Sequence, residues 1–241
     1  MSPVLVNPSR FGSAPPPAGW SSTIAALSPA AWYRLGDTSG TTMTDSSGNG
    51  HNGTYNGAYT LGTTGLITGD TDTAITLSSG STGYGDVPYA SWLDAGSTAL
   101  SLVVVFKTSV TLTIMSFFDR DNGNARLWQH RMENNGALSF IKIGGTGGVV
   151  TSTTPANGYN DGNKHVFGAT YDGSNIRLYV DGTKVRTTAA AGNLGTAHAD
   201  LSIGHRLALS STNQFGGVLD EHILWNSVLS DTDMANIAAA S

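Results

Sequence analysis

Hydrophobic and polar residues alternate in short runs along most of this chain. In Ile176-Arg177-Leu178-Tyr179-Val180 the apolar Ile176, Leu178 and Val180 share one face and Arg177 and Tyr179 the other, the period of a strand with one side in a core. Short β-branched or aromatic runs also cover 100–106, 112–118, 126–132, 137–143, 165–171, 176–181 and 218–225, so at least seven strands are predicted. Between them, Asn-Gly or Asp-Gly pairs begin at 49, 52, 56, 122, 135, 157, 161, 172 and 181, supplying the positive φ angles of tight hairpin turns. The main helical signal is at the end. Ser230 is placed to cap a helix over 231–238, with Asp231 and Asp233 in its first turn and Met234, Ile237 and Ala238 on one side. A shorter helical turn is expected over 22–27. Without a helix layer to cover a single sheet, so many half-apolar strands are buried by packing two antiparallel sheets together.

Composition narrows this further. The 241 residues include 31 Gly, 29 Thr and 26 Ser but only 12% charged side chains, which excludes helical bundles and coiled coils. All-β sandwiches of this length often form one domain, and a domain this size buries roughly 70% of its unfolded surface, so the lack of Cys is no obstacle to stability. A net charge of −5 argues against a nucleic-acid partner, which would demand a basic stripe. No run approaches the roughly 20 apolar residues of a membrane span. Residues 1–8 lack the basic and long apolar regions of a secretory signal. Five of the eight prolines fall within residues 1–20, predicting an extended N-terminal arm ahead of one domain over 21–241.

Three segments together carry a family resemblance. Trp32-Tyr33-Arg34-Leu35-Gly36-Asp37 with the loop from Asp45 to Thr54 is the first. The second runs from Asp161 to Val166 and on through Tyr171-Asp172-Gly173 to Asp181-Gly182, and the third is Gly216-Gly217-Val218-Leu219-Asp220-Glu221 leading through Trp225-Asn226 to Leu229-Ser230. In this order they resemble the laminin G-like, concanavalin A-like family over roughly residues 30–240. The resemblance implies an all-β, two-sheet antiparallel jelly-roll sandwich with adjacent first and last strands, here with a short C-terminal helix and an extended arm. It does not fix function, since the same sandwich hosts lectins, glycosidases and structural modules.

Glycoside hydrolysis needs two carboxyl groups facing one groove. The glucanases of this fold carry two Glu and an Asp alternating along one strand, whereas this chain has only Glu133 and Glu221, far apart. Asp220-Glu221 are strand neighbours expected to point to opposite faces. The chain also lacks a Cys nucleophile, a Gly-x-Ser-x-Gly elbow and a phosphate loop, and its six His are scattered, so no enzyme is expected.

Two other sites are candidates. The oxygen-rich loop from Asp45 to Asn52 suits a hard cation, and the resemblance implies structural Ca2+ held by Asp45 and Asp220 with carbonyls near Gly48 and His51. The alternative is that Asp45 caps its own turn. For glycan recognition, Arg126, Trp128 and His130 share one strand face and Arg177 and Tyr179 another, a candidate stacking and hydrogen-bonding platform; Tyr84 to Tyr89 forms a second candidate loop. The alternative places Trp128 in the core.

An extracellular-type sandwich with a Pro-rich arm and no export signal fits the particle of a bacterial virus, released by lysis. The leading expectation is therefore a non-catalytic phage virion protein, a minor tail or capsid-surface component. Its arm would contact other virion proteins, and its domain host-surface glycans or further copies of itself as a homo-oligomer. A bacterial surface or secreted carbohydrate-binding module is the alternative, and a glycoside hydrolase a third reading.

Overall fold

The computed structural model describes residues 19–80, 82–111, 113–121, 126–206 and 213–241. In chain order its elements are α1 (Trp20–Ala26), β1 (Ala31–Tyr33), β2 (Thr42–Met43), β3 (Gly53–Asn56), β4 (Tyr59–Thr64), β5 (Thr73–Leu77), β6 (Tyr84–Val87), β7 (Leu100–Lys107) and β8 (Met115–Asp121). There follow β9 (Arg126–Met132), β10 (Leu138–Lys142), β11 (Val150–Thr153), β12 (Lys164–Tyr171), β13 (Asn175–Val180), β14 (Thr183–Ala189), β15 (Leu201–Ile203), β16 (Gly217–Trp225) and α2 (Asp231–Ala239).

Sheet I has the order β14-β13-β12-β7-β16-β5-β4, with β1 paired to β16, and sheet II the order β11-β10-β9-β8-β15-β6-β3-β2. Neighbouring strands pair antiparallel throughout. The expected jelly-roll sandwich is the observed architecture, with its first and last strands adjacent: Trp32 lies opposite Ile223.

The continuous apolar run of β7 reflects burial on both sides. Leu102, Val104 and Phe106 enter the core between the sheets, while Val103 and Val105 belong to a second core on the outer face of sheet I. Trp20 and Ile24 of α1 and Met234 and Ile237 of α2 are buried in that second core. Burying each such side chain contributes roughly 1.5–3 kcal/mol. Ser230 caps α2 as predicted: its Oγ accepts from Asp233 N at 3.1 Å and Asp233 Oδ2 accepts from Ser230 N at 2.9 Å.

Between β13 and β14, Asp181 and Gly182 take φ of 48° and 80°. A Cβ at Gly182 would stand 2.9 Å from Ala238 Cβ, so this turn tucks directly under α2. The face of β13 read from alternation is correct, since Ile176, Leu178 and Val180 lie in the central core.

Several expectations shift. Trp20, assigned to the arm, opens α1 and is only 2% exposed, so the folded unit takes in the end of that segment; residues 1–18 lie outside the described residues. The strand expected over 112–118 is displaced to Met115–Asp121, because pairing with β9 and β15 carries it through the polar Asp119-Arg120-Asp121. Tyr84 to Val87, expected as loop, is a strand.

Candidate functional site

The five residues expected to bind glycan are not brought together. Trp128 and His130 share a face of β9, but that face is the inner one: Trp128 is 2% exposed beside Phe140, and the His130 ring stacks on Phe167 at 4.1 Å. Met132 completes this set within the core. Apolar Trp128 and Met132 at even positions, against Gln129 and Arg131 at odd ones, was the signal for which side faces inward. Arg126, at the exposed start of β9, is 3.4 Å from Asp121. On sheet I, Arg177 pairs with Asp172 at 2.6 Å, and Tyr179 is buried with its hydroxyl donating to Asp231 at 2.8 Å. The platform therefore does not exist: its members occupy different sheets, and its largest ring is core.

The outer face of sheet II is different. Thr54, Asp86, Ser202, Asp119 and Gln129 stand in cross-strand register on β3, β6, β15, β8 and β9. Val87, Leu201, Ile203, Phe118 and Trp128, their chain neighbours, lie in the core, so this row points away from it. A bulge between Ser116 and Phe118 adds Ser116 to the same face, opposite Arg131. Ser116, Asp119, Gln129 and Ser202 are nonetheless fully buried. The chain leaving β15 turns back here, with the His205 carbonyl accepting from Ser202 Oγ at 2.9 Å and the His205 ring 5.0 Å from that of Tyr84.

Hydrogen bonding in this row is incomplete. Gln129 Nε2 donates to Asp119 Oδ2 at 2.7 Å and Arg131 donates to Gln129 Oε1 at 3.1 Å. Asp119 Oδ1, Asp86 Oδ1 and Ser116 Oγ are buried with no partner, as is Gln214 Oε1. Burial, reinforced by Asp121, pushes the Asp119 carboxyl up to about 8; burial with the nearby Asp200 raises Asp86 to about 6. Buried polar groups without partners cost roughly 1–3 kcal/mol each, and convergent polar groups with displaced pKa values mark ligand sites. Asp119 was missed in the sequence because the predicted strand stopped at 118, and Gln129, inside the predicted strand over 126–132, because the opposite face, that of Arg126, Trp128 and His130, is the one expected to point outward. Tyr84 and Asp86 fall within the second candidate segment.

On the outer face of sheet I, a bulge in β16 between Leu219 and His222 corrects the expectation for Asp220 and Glu221. Both turn outward rather than to opposite faces. Each is engaged by protein donors: Glu221 accepts from Trp32 Nε1 at 2.5 Å and Arg34 Nε at 3.2 Å, and Asp220 accepts from Leu66 N at 2.5 Å. Arg34 also meets Asp70 at 2.6 Å and Asp72 at 3.0 Å, closing the floor of a cleft of about 380 Å³. Burial and the adjacent Asp220 push Glu221 up to about 8, while burial raises Asp220 to about 6. This network pins β1, the 65–73 segment and β16 to one another.

The implied calcium set does not fit. Asp45 Oδ1 accepts from Trp32 N and Ser47 N, both at 3.0 Å, and Oδ2 from Ser47 Oγ at 2.8 Å and His51 N at 2.9 Å. Those four donors occupy the roughly four lone-pair positions of a carboxylate. The His51 carbonyl accepts from Tyr33 Oη at 2.7 Å, its ring stacks on Trp92 at 4.1 Å, and Asp220 is bound at Leu66 instead. Gly48 takes the positive φ of 87° that the turn requires. Asp45 is thus the cap of its own loop, and no group of three or more His, Asp or Glu suited to a metal ion occurs among the described residues.

A family model described as the concanavalin A-like lectin/glucanases superfamily matches residues 79–235. No curated protein matches by sequence. Among solved structures, the binding domain of botulinum neurotoxin DC, in complex with rat synaptotagmin II, is similar with a TM-score of 0.66 and 14% identity over 90% of this chain. This chain spans only 52% of that one, about half its length. Domain 4 of a GH43 extracellular arabinanase from Geobacillus stearothermophilus, in complex with arabinotriose, gives 0.62 and 19% over 87% of this chain and 98% of that one. The Ruminococcus gnavus IT-sialidase CBM40 bound to α2,3-sialyllactose gives 0.56 and 18% over 70% and 96%. At these identities the likeness is one of fold.

Proposed function

The chain belongs to the concanavalin A-like lectin/glucanases superfamily, and on that premise we propose that it is a non-catalytic carbohydrate-binding module whose site is the outer face of sheet II. One observation carries this reading: a polar row of Thr54, Asp86, Ser202, Asp119 and Gln129 runs in register across five strands of that face, accessible at its Thr54 and Asp86 end. Sugar hydroxyls both donate and accept, and would meet the row at its accessible end, Thr54 and Asp86. Tyr84, half-buried at its border with its ring against that of the buried His205, offers aromatic area to a pyranose. The acidic pairs bear on catalysis in the opposite sense, because Glu221 is fully buried and held by Trp32 and Arg34. Titration of the whole chain against a glycan panel tests the reading, with saturable binding expected and its absence contradicting it.

The setting we favour is the particle of a bacterial virus, as a minor tail or capsid-surface component attached to other virion proteins through the Pro-rich residues 1–20. Copies of the chain in purified particles, lost when the arm is deleted, are the expected outcome; particles without it would contradict this placement. A module of a bacterial surface or secreted protein is the second reading, favoured by the 98% coverage of the arabinanase domain.

A further inference from the structure

We propose that the glycan site on sheet II continues beyond the end of β6 into a second aromatic subsite, formed by Tyr89 and His198 with Asp200 beside them, so that its ligand is a chain of several linked sugar rings rather than a single one. The inference rests on the glycan-binding reading and names the size of ligand that the site takes.

Chain geometry sets where this subsite lies. Val87, the last residue of β6, pairs with Leu201, the first of the antiparallel β15, so Tyr89 and His198 sit at the same end of neighbouring strands. Asp200 stands two residues before Ser202, the register partner of Asp86, and therefore on the same face as Asp86. Burial and the nearby charge of Asp200 together raise the Asp86 carboxyl, which places the two carboxyls side by side. Tyr84 and Tyr89 are five residues apart, at most about 17 Å at the rise of an extended strand. One sugar ring cannot reach both, whereas a short oligosaccharide laid along β6 can.

The groups there are within reach of a ligand and held in place. His198 is exposed, and Tyr89, Asp94 and Asp200 are half-buried. The Tyr89 and His198 rings meet at 4.4 Å with 33° between their planes, a two-ring ledge for the apolar face of a sugar. Asp200 Oδ1 accepts from Tyr89 N at 2.7 Å, one of the roughly four lone-pair positions of its carboxylate, and the group has capacity for a sugar hydroxyl as well. Tyr89 is fixed at its other end too, its hydroxyl donating to Asp94 Oδ2 at 2.9 Å. Beneath the ledge Arg120, 1% exposed, donates to the Leu93 carbonyl at 2.7 Å and to Asp94 Oδ1 and the Ala199 carbonyl, both at 3.1 Å. It thereby ties the loop carrying Tyr89 to the segment carrying His198. Aromatic rings fixed before the ligand arrives lose little entropy on binding.

The test uses the whole chain at pH 7.5 and three probe series, arabino-, xylo- and cello-oligosaccharides of two to four rings, titrated by calorimetry. In a series that binds, affinity is expected to rise at least tenfold from two rings to four. His198→Ala and Tyr89→Ala should each bring the four-ring affinity down to within threefold of the two-ring value. Tyr89→Phe, which keeps the ring and loses only the bond to Asp94, should retain the rise. Circular dichroism checks the folding of each variant, and the exposed His198 keeps the test open where Tyr89→Ala fails to fold. Affinity independent of length, or a rise that survives His198→Ala, overturns the inference and leaves glycan binding standing. Failure of every probe overturns both. Self-association of the chain that disappears in His198→Ala makes the ledge a contact between copies and also overturns the subsite.

Discussion

Gln129 Nε2 donates to Asp119 Oδ2 across 2.7 Å and leaves the other oxygen of that carboxyl buried without a donor. Its pKa of about 8 makes Asp119 largely protonated in the fold at neutral pH, whereas in the unfolded chain it ionises near 4. A raised carboxyl pKa contributes stability that is full below about 4 and is lost as pH rises through about 8. Asp119→Asn should therefore flatten the decline in stability between those pH values, as read from urea midpoints at several pH values. An unchanged slope would contradict the burial of this group.

The opposite pH behaviour is expected of His130. It is fully buried, stacked on Phe167 and flanked by His222, and its two ring nitrogens have no partner. Burial, with His222 nearby, holds its pKa well below the ordinary value near 6.5. A depressed His pKa contributes stability present above 6.5 and lost as pH falls below it. His130→Phe should retain the stacking, remove two orphaned polar atoms, and raise stability by about 1–2 kcal/mol at pH 5. Thermal melts at pH 5 and pH 8 check this: the gain should be larger at pH 5.

Arg34 is the cation shared by Asp70, Asp72 and Glu221. Glu221, its carboxyl pushed up to about 8, is largely neutral at pH 7, so Arg34→Ala removes the donor to Glu221 and the pairs with Asp70 and Asp72 rather than stranding a full buried charge, and should cost about 1–3 kcal/mol. Glu221→Gln retains an acceptor for Trp32 and should cost less than half as much. Denaturant unfolding of both variants gives the comparison, and a larger loss for Glu221→Gln would contradict the role given to Arg34.

Excess chelator should leave the melting temperature unchanged, because Asp45 is saturated by Trp32, Ser47 and His51. Asp45→Ala, by contrast, strands three backbone N–H groups and should lower stability by about 2–3 kcal/mol. A fall in melting temperature with chelator would restore a metal to this loop.

The fold was more legible than the site. Alternation in β13 identified the core face through Ile176, Leu178 and Val180, and Ser230 announced α2, because strand period and helix capping are local properties. In β9 the same period grouped Trp128 with His130 correctly, yet which group faces inward depends on Phe140 and Phe167, contributed by other strands. The bulges at Ser116–Phe118 and Leu219–His222 reverse facing without any glycine or proline to mark them. They bring Ser116 into line with Asp119, and Asp220 onto the side of Glu221. The row from Thr54 to Gln129 draws on five strands distant in sequence, and only their register brings it together.

The central claim is that sheet II carries the sugar on its outer face. The most direct measurement is a titration of the isotope-labelled chain with the best neutral oligosaccharide from the panel, followed by amide chemical shifts. Perturbations concentrated on residues 84–87, 116–121, 129–131 and 202–206, and abolished by Asp119→Asn with Gln129→Ala, are the predicted result. Shifts confined to the Arg34 cleft or to the Arg177 and Tyr179 face of sheet I would contradict it.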